Sequence, residues 1–270
     1  MIPLTLLLAL VTFAQVGVGR TVLATVLNQR NQPVVDLDLD DFVVRETGRP
    51  REVLAARVAD YPVVVLIDNS AQARGEFEAI RAAAARFITR VGQRPVALGT
   101  LGGTPVMVAS AEDDRATVLS RLRAIEVEQT GGGQLVEGMA VAARALRALD
   151  VPFSAIVVLS TTPAVVADAP TEWLQQILDS RAIANVIINR AVSNSSPISE
   201  TELRTLAEQT HGQLTTIYSA ASYQVALDHL ADQMAGEMMI DYVAGEAAPR
   251  EDVTVGVRQP GLRVRGLGVR

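Results

Sequence analysis

A run of apolar residues that breaks off in a carboxylate and a hydroxyl constrains this chain more than any other feature. It reads Pro62-Val63-Val64-Val65-Leu66-Ile67 and then Asp68-Asn69-Ser70-Ala71-Gln72. Every position is apolar, not every second one, so both faces of the strand must be covered. That pattern belongs to a central strand of a parallel sheet lying between helical layers. Ser154-Ala155-Ile156-Val157-Val158-Leu159-Ser160, ending in Thr161-Thr162-Pro163, repeats it, and Asn185-Val186-Ile187-Ile188-Asn189 is a further buried strand. Helical periods separate these runs, and the alternation from residue 62 to 235 predicts an α/β fold with a doubly wound, mostly parallel sheet. In such sheets ligands sit beyond the carboxyl ends of the strands, which makes Asp68 and Ser70 the first candidates for a site.

The flanks of this region read differently. Thr21–Asn28 predicts a strand, Gln29–Gln32 a turn, and Phe42–Leu54 a hairpin turning at Thr47-Gly48, followed by a strand to Val58. After the last helix, Met238–Val243 and Val253–Arg258 read as a closing hairpin. We expect the two flanks to pair into one small β-module beside the main domain. The corresponding divisions are 1–19 as a signal peptide, 20–60 as an N-terminal β segment, 61–237 as the main domain and 238–270 as the C-terminal hairpin.

The first charged side chain is Arg20, and a dense apolar core runs from Leu4 to Ala14. This resembles a secretory signal peptide, with Thr12-Phe13-Ala14 offering small residues for cleavage after Ala14. The alternative is an uncleaved anchor over Ile2–Val18, just long enough to span about 30 Å of hydrocarbon. A secreted or periplasmic bacterial protein is the expectation. The absence of cysteine excludes disulfides and thiol catalysis. A net charge of −6 leaves no basic footprint for nucleic acid or for an anionic membrane surface, apart from the signal segment itself.

Between these landmarks, Ala71–Val91 carries a helical period through Phe77, Ile80, Ala84, Phe87 and Ile88. Val96–Leu101 and Pro105–Ala109 flank Gly102-Gly103-Thr104, a hairpin that places an antiparallel strand on the sheet edge. Helices are expected over Asp113–Ile125, from the glycine-rich Thr130-Gly131-Gly132-Gly133 loop to Leu149, over Thr171–Arg181, from a Ser199-to-Glu202 capping box to Thr210, and over Ala220–Met234. His211 before Gly212 reads as a helix terminus. The alternating aspartates Asp36–Asp41 fail the calcium-loop template, because Asp41 and Thr47 stand where glycine and glutamate are needed. They read as a capped turn with Leu37, Leu39 and Phe42 packing inward.

An apolar strand closing on Asp68-Asn69-Ser70-Ala71-Gln72 resembles the opening motif of von Willebrand factor A-type domains, in which Asp-x-Ser-x-Ser holds a divalent cation. The preamble Val35-Asp36-Leu37, Asp41-Phe42-Val43-Val44, Glu46, Gly48, Pro50 and Val53 resembles that of a secreted bacterial subfamily of these domains. So does the tail, Gln259-Pro260-Gly261-Leu262-Arg263-Val264-Arg265. The resemblance covers roughly residues 20–270 and implies a Rossmann-like A-type fold. It also implies metal positions at Asp68, Ser70, Gln72, Gly133 and Thr161. Gln72 replaces the second serine, Gly133 the threonine of the glycine-rich loop and Thr161 the aspartate after the second strand, so only Asp68 and Ser70 match. Asn69, Thr130, Gln134 and Thr162 would line the surrounding crevice.

Two functions follow from that resemblance. The first is a non-enzymatic module that binds another protein through the crevice, with its cation weakened or lost. The second keeps magnesium or calcium on Asp68 and Ser70 with substitute ligands. Asp68 also has a plain structural reading, in which its carboxylate caps the helix beginning near Ala71. Hydrolase chemistry at Ser70 would need a histidine beside it and a nucleophile elbow. Both histidines are distant in sequence and the elbow is missing. A dinucleotide turn of the Gly-x-Gly-x-x-Gly kind does not follow the first strand either.

Overall fold

The computed structural model describes residues 18–161, 169–190, 197–245 and 252–269. Its centre is a sheet ordered β10-β9-β8-β5-β6-β7. These strands are β5 (Val63–Ile67), β6 (Val96–Thr100), β7 (Val106–Ala109), β8 (Ala155–Ser160), β9 (Ile183–Asn189) and β10 (Gln213–Ile217). All neighbours run parallel except β7, which pairs antiparallel with β6 at the edge, as the glycine turn predicts. Every residue of β5, β8 and β9 is buried, the result demanded by runs with no polar face.

Helices cover both faces. Val63, Val65 and Ile67 point toward α1 (Phe77–Arg90), α2 (Arg115–Ala124) and α6 (Ser222–Ala235). Val64 and Leu66 point toward α3 (Leu135–Arg147), α4 (Thr171–Ser180) and α5 (Pro197–Gln209). The chain leaves β5 toward β6 on one side, whereas β8, β9 and β10 are laid down on the other. The strand order therefore reverses between β5 and β8, a topological switch point.

The flanks make two further sheets. One is ordered β13-β1-β11-β4, from β1 (Val18–Leu27), β4 (Val53–Val58), β11 (Glu237–Ala244) and β13 (Arg263–Val269). The other is ordered β12-β2-β3, from β2 (Phe42–Glu46), β3 (Arg49–Arg51) and β12 (Val253–Val257). N- and C-terminal strands interleave in both, with β1 between β11 and β13 and β12 against β2. Val22, Ala24, Phe42, Val44, Ile240 and Tyr242 form the core between them. Glu46, fully buried, ties the two sheets: it receives Arg20 of β1 and Arg51 of β3, both at 2.8 Å, and the backbone N–H of Gly245 at 2.7 Å.

The β-module shares its core with the main sheet. Leu23 and Met239 belong to the same apolar cluster as α1 and α6. A buried polar knot lies at this junction. Tyr61 donates to Glu237 at 2.6 Å, and Arg94 donates to Glu237 at 3.1 Å and to the Met234 carbonyl at 2.8 Å. The Arg94 guanidinium stands 4.7 Å from the centre of the Tyr61 ring. Burial lifts the Glu237 carboxyl above its ordinary value, and Tyr61 and Arg94 offset this only in part. Burial likewise pushes the Tyr61 hydroxyl up, helped by the adjacent Glu237 charge.

Four expectations are corrected. β11 and β12 are not a hairpin, because β11 pairs with β1 and β4 while β12 crosses to the other layer and pairs with β2. Leu39 is exposed, since the 3-10 turn Leu39–Asp41 turns only Leu37 and Phe42 inward. The helix after Asp68 starts at Phe77 rather than Ala71: a 3-10 turn at Ala71–Ala73 and Gly75 intervene, and glycine is a poor helix former. α5 begins at Pro197, a favoured first helical residue, so Ser199 lies inside it and cannot cap its start.

Candidate functional site

Asp68 sits at the carboxyl end of β5, on the switch point, with no solvent exposure. Its Oδ1 accepts the backbone N–H of Ser70 at 3.0 Å, the local bond that a short acidic side chain makes when it shapes a turn. Its Oδ2 accepts the backbone N–H and the hydroxyl of Thr161, each at 2.9 Å, and lies 3.4 Å from the Ser160 hydroxyl. The carboxylate thus bridges the ends of β5 and β8. The Ser70 bond is the contact to a following backbone N–H that the plain structural reading expects, and the Thr161 bonds add a cross-strand one.

The neighbouring side chains lace the loops together. Asn69 accepts the Gly102 N–H at 2.8 Å and donates to the Glu126 carbonyl at 3.0 Å. The glycine-rich loop is held by a bridge between Gly102 and Gly133 and by the Gln134 N–H to the Leu101 carbonyl at 2.7 Å. Gly133 lies directly against Asp68. A Cβ there would stand 2.9 Å from Oδ1 and 3.0 Å from Oδ2, so any side chain would displace the carboxylate. Gly132 lies the same way under the exposed Gln72, with a Cβ position 3.2 Å from its amide oxygen.

Of the residues singled out in the sequence, Asp68, Ser70, Gly133 and Thr161 converge, and Asn69 braces them. Gln72, Thr130 and Gln134 are exposed at the rim. Thr162 lies outside the described residues. Two contributors were missed. Tyr223 of α6 donates to the Ser160 carbonyl at 2.9 Å. Its hydroxyl is pushed far up by burial, and then by the charges of Glu76 and Asp68. Asn189, fully buried at the end of β9, donates to both carboxylate oxygens of Glu76, at 2.8 and 2.6 Å. An asparagine closing an all-apolar run was a readable signal; a tyrosine one residue into a helix was not.

A divalent cation requires several oxygen ligands with carboxylate charge. Here the Asp68 oxygens are turned to N–H and O–H donors. Among the described residues, no group of three or more histidine, aspartate or glutamate side chains is arranged to hold a metal. The donor set does not match what such an ion demands. One feature points the other way: the Ser70 hydroxyl is buried and has no hydrogen-bond partner among the described residues.

The two histidines do not serve Ser70. Both line a cavity at the amino ends of β9 and β10, the opposite end of the sheet. That is roughly five residues of strand away, on the order of 16 Å.

Residues 63–168 match the family model of the von Willebrand factor type A domain. That stretch reads as a von Willebrand factor type A domain. Solved structures agree in fold. A von Willebrand factor type A protein from Catenulispora acidiphila is 12% identical and aligns over 96% of this chain and 74% of that one, with a TM-score of 0.52. Proximal thread matrix protein 1 from the mussel byssus is 10% identical over 66% of this chain and 48% of that one, with a TM-score of 0.54. A form of that mussel protein with a zinc-occupied MIDAS motif is 11% identical over 72% of this chain and 50% of that one, with a TM-score of 0.53. This chain therefore spans about half of the mussel protein's length. At such identities the likeness is one of fold. No curated protein matches the sequence. Among the described residues, no helix of the A-type domain or its flanks is long and apolar enough to cross a membrane.

Proposed function

We propose that the chain is an exported, non-enzymatic protein-interaction module that contacts its partner through the crevice at the β5–β8 switch point, without a cation. The observation that carries this reading is the Thr161 pair of hydrogen bonds to Asp68, both at 2.9 Å. In the A-type family an aspartate after the second strand helps to complete a metal shell. Here a threonine donates to the carboxylate instead, so the β5 and β8 ends are locked by hydrogen bonds that need no ion. A-type domains are interaction and adhesion modules as a class, which supports a binding role over a catalytic one. Export rests on the apolar N-terminal segment, which lies outside the described residues.

A second reading keeps a weak magnesium or calcium site on Asp68 and Ser70, and the buried Ser70 hydroxyl, without a partner among the described residues, favours it. Titration of the purified chain from residue 20 onward with magnesium, calcium and manganese by calorimetry separates the two, with Asp68→Ala as the control. The first reading expects no saturable heat from either protein. Saturable binding that disappears in Asp68→Ala would overturn it and establish the second.

A further inference from the structure

The cavity at the far end of the sheet is not explained by an interaction module. It encloses about 480 Å³ where the amino ends of β9 and β10, helix α6 and the flank strands β1 and β13 meet. That volume is typical of small-molecule sites, and junctions between structural units are where such sites concentrate.

Two side chains in it lack partners. Asn185 stands in β9, a strand buried along its whole length, and is itself only 7% exposed. Among the described residues its side-chain amide makes no hydrogen bond, although it lines the cavity. The amide opens onto the cavity rather than being sealed from solvent, so a strand that could have carried another valine carries a group able to bond an outside partner. Arg265 of β13 is the second. It forms no ion pair among the described residues, whereas the acids that share the cavity are engaged elsewhere: Asp232 by Arg90 and Glu237 by Arg94. Arg265 is therefore the charged side chain of the lining with no ion-pair partner among the described residues. Leu27, Ile183, Leu230 and Leu267 give the wall its apolar part, beside the polar His211, Gln213, His229 and Gln233.

We propose that this cavity binds a small amphipathic carboxylate. Its carboxylate would pair with Arg265 and hydrogen-bond to the Asn185 amide, and its apolar body would lie against Leu27, Leu230 and Leu267. An arginine–carboxylate pair is a strong charge-assisted bond, and the leucines supply the hydrophobic contact.

Methyl-labelled full-length chain, titrated with octanoate and separately with octanol and followed by NMR, tests the assignment. Octanoate should shift the methyls of Leu27, Leu230 and Leu267 saturably in the millimolar range or below. Octanol should bind at least roughly tenfold more weakly, the factor equivalent to about 1.4 kcal/mol. Arg265 is exposed, so Arg265→Gln should fold normally and lose the same factor for octanoate alone. Asn185→Val, a residue of high strand propensity, should keep the fold and also weaken octanoate. Methyls unmoved by octanoate, equal affinity for the two probes, or undiminished octanoate binding in Arg265→Gln would each overturn the proposal.

Discussion

Replacing Thr161 by valine tests the hydrogen-bonded lock at its most exposed assumption. Valine keeps the branched shape of threonine and removes one donor from Asp68 Oδ2. The carboxylate retains the Thr161 N–H at 2.9 Å, the Ser70 N–H at 3.0 Å and the longer Ser160 contact at 3.4 Å. One neutral donor to a buried charged acceptor is worth about 1.5–3 kcal/mol, and the remaining donors place the expected loss near the middle, about 2 kcal/mol. For a chain of this size that corresponds to roughly 4–8 °C in melting temperature. Trp173 of α4, the sole tryptophan and packed against the core of that face, gives a fluorescence signal for urea unfolding. A cycle with Asp68→Asn should return a coupling of about 1 kcal/mol or more, and millimolar magnesium should change neither value. A loss below about 0.5 kcal/mol, or a coupling near zero, would mean that Thr161 does not hold the carboxylate, and the metal-free argument would lose its foundation.

The β-module and its junction yield further expectations. Glu46→Gln leaves Arg20 and Arg51 facing a neutral amide in a buried site and should cost roughly 3–5 kcal/mol in chemical denaturation, unlike the exposed ion pairs of α1 and α6. Gly212→Ala would place a Cβ 1.9 Å from the Ala184 carbonyl oxygen, backbone that cannot step aside, so soluble expression or melting temperature should drop sharply, by roughly 3 kcal/mol or more. At Glu237 the folded-state carboxyl is raised from its ordinary value of 4.5, chiefly by burial, so its protonated form is favoured by folding. Its contribution is present below that ordinary value and lost as pH rises through the folded one. The stability of wild type relative to Glu237→Gln should therefore fall as pH is raised from about 4 toward neutrality, in urea melts compared at several pH values; a flat or rising difference would refute the sign.

The fold was legible because its strongest signal is redundant. Val63–Ile67 and Ala155–Ser160 are apolar at every position, and only a sheet covered on both faces satisfies that. The edge hairpin, the aspartate-led start of α2 and the left-handed His211 at the end of α5 were all local signals and were readable for that reason. The pairing of β12 with β2 was not, because two strands joined in sequence carry the same alternation whether they pair with each other or with different sheets. At the site, Asp68 and Ser70 announced themselves by closing an apolar run. That Thr161 donates to Asp68, and that Tyr223 and Asn189 reinforce the same corner, depends on strand order and helix packing, which no short window of residues encodes.

Metal independence would also change what the crevice can recognise. In the A-type family the cation offers an open coordination position to a carboxylate of the partner. At this switch point the charge beneath the surface is the buried Asp68, and the Ser70 and Thr161 groups that donate to it are neutral, reducing its field without reversing it. An incoming carboxylate would meet like charge at low dielectric and no compensating ion, an unfavourable encounter. Around the opening, Gln72, Thr130 and Gln134 present neutral amide and hydroxyl groups, and the exposed acids Glu126 and Glu128 stand beside the arginines Arg74 and Arg121, so the rim adds little net charge to that of Asp68. Recognition at this end of the sheet should therefore favour neutral or basic partner segments over acidic ones, survive chelators, and weaken with salt only where a basic partner is involved.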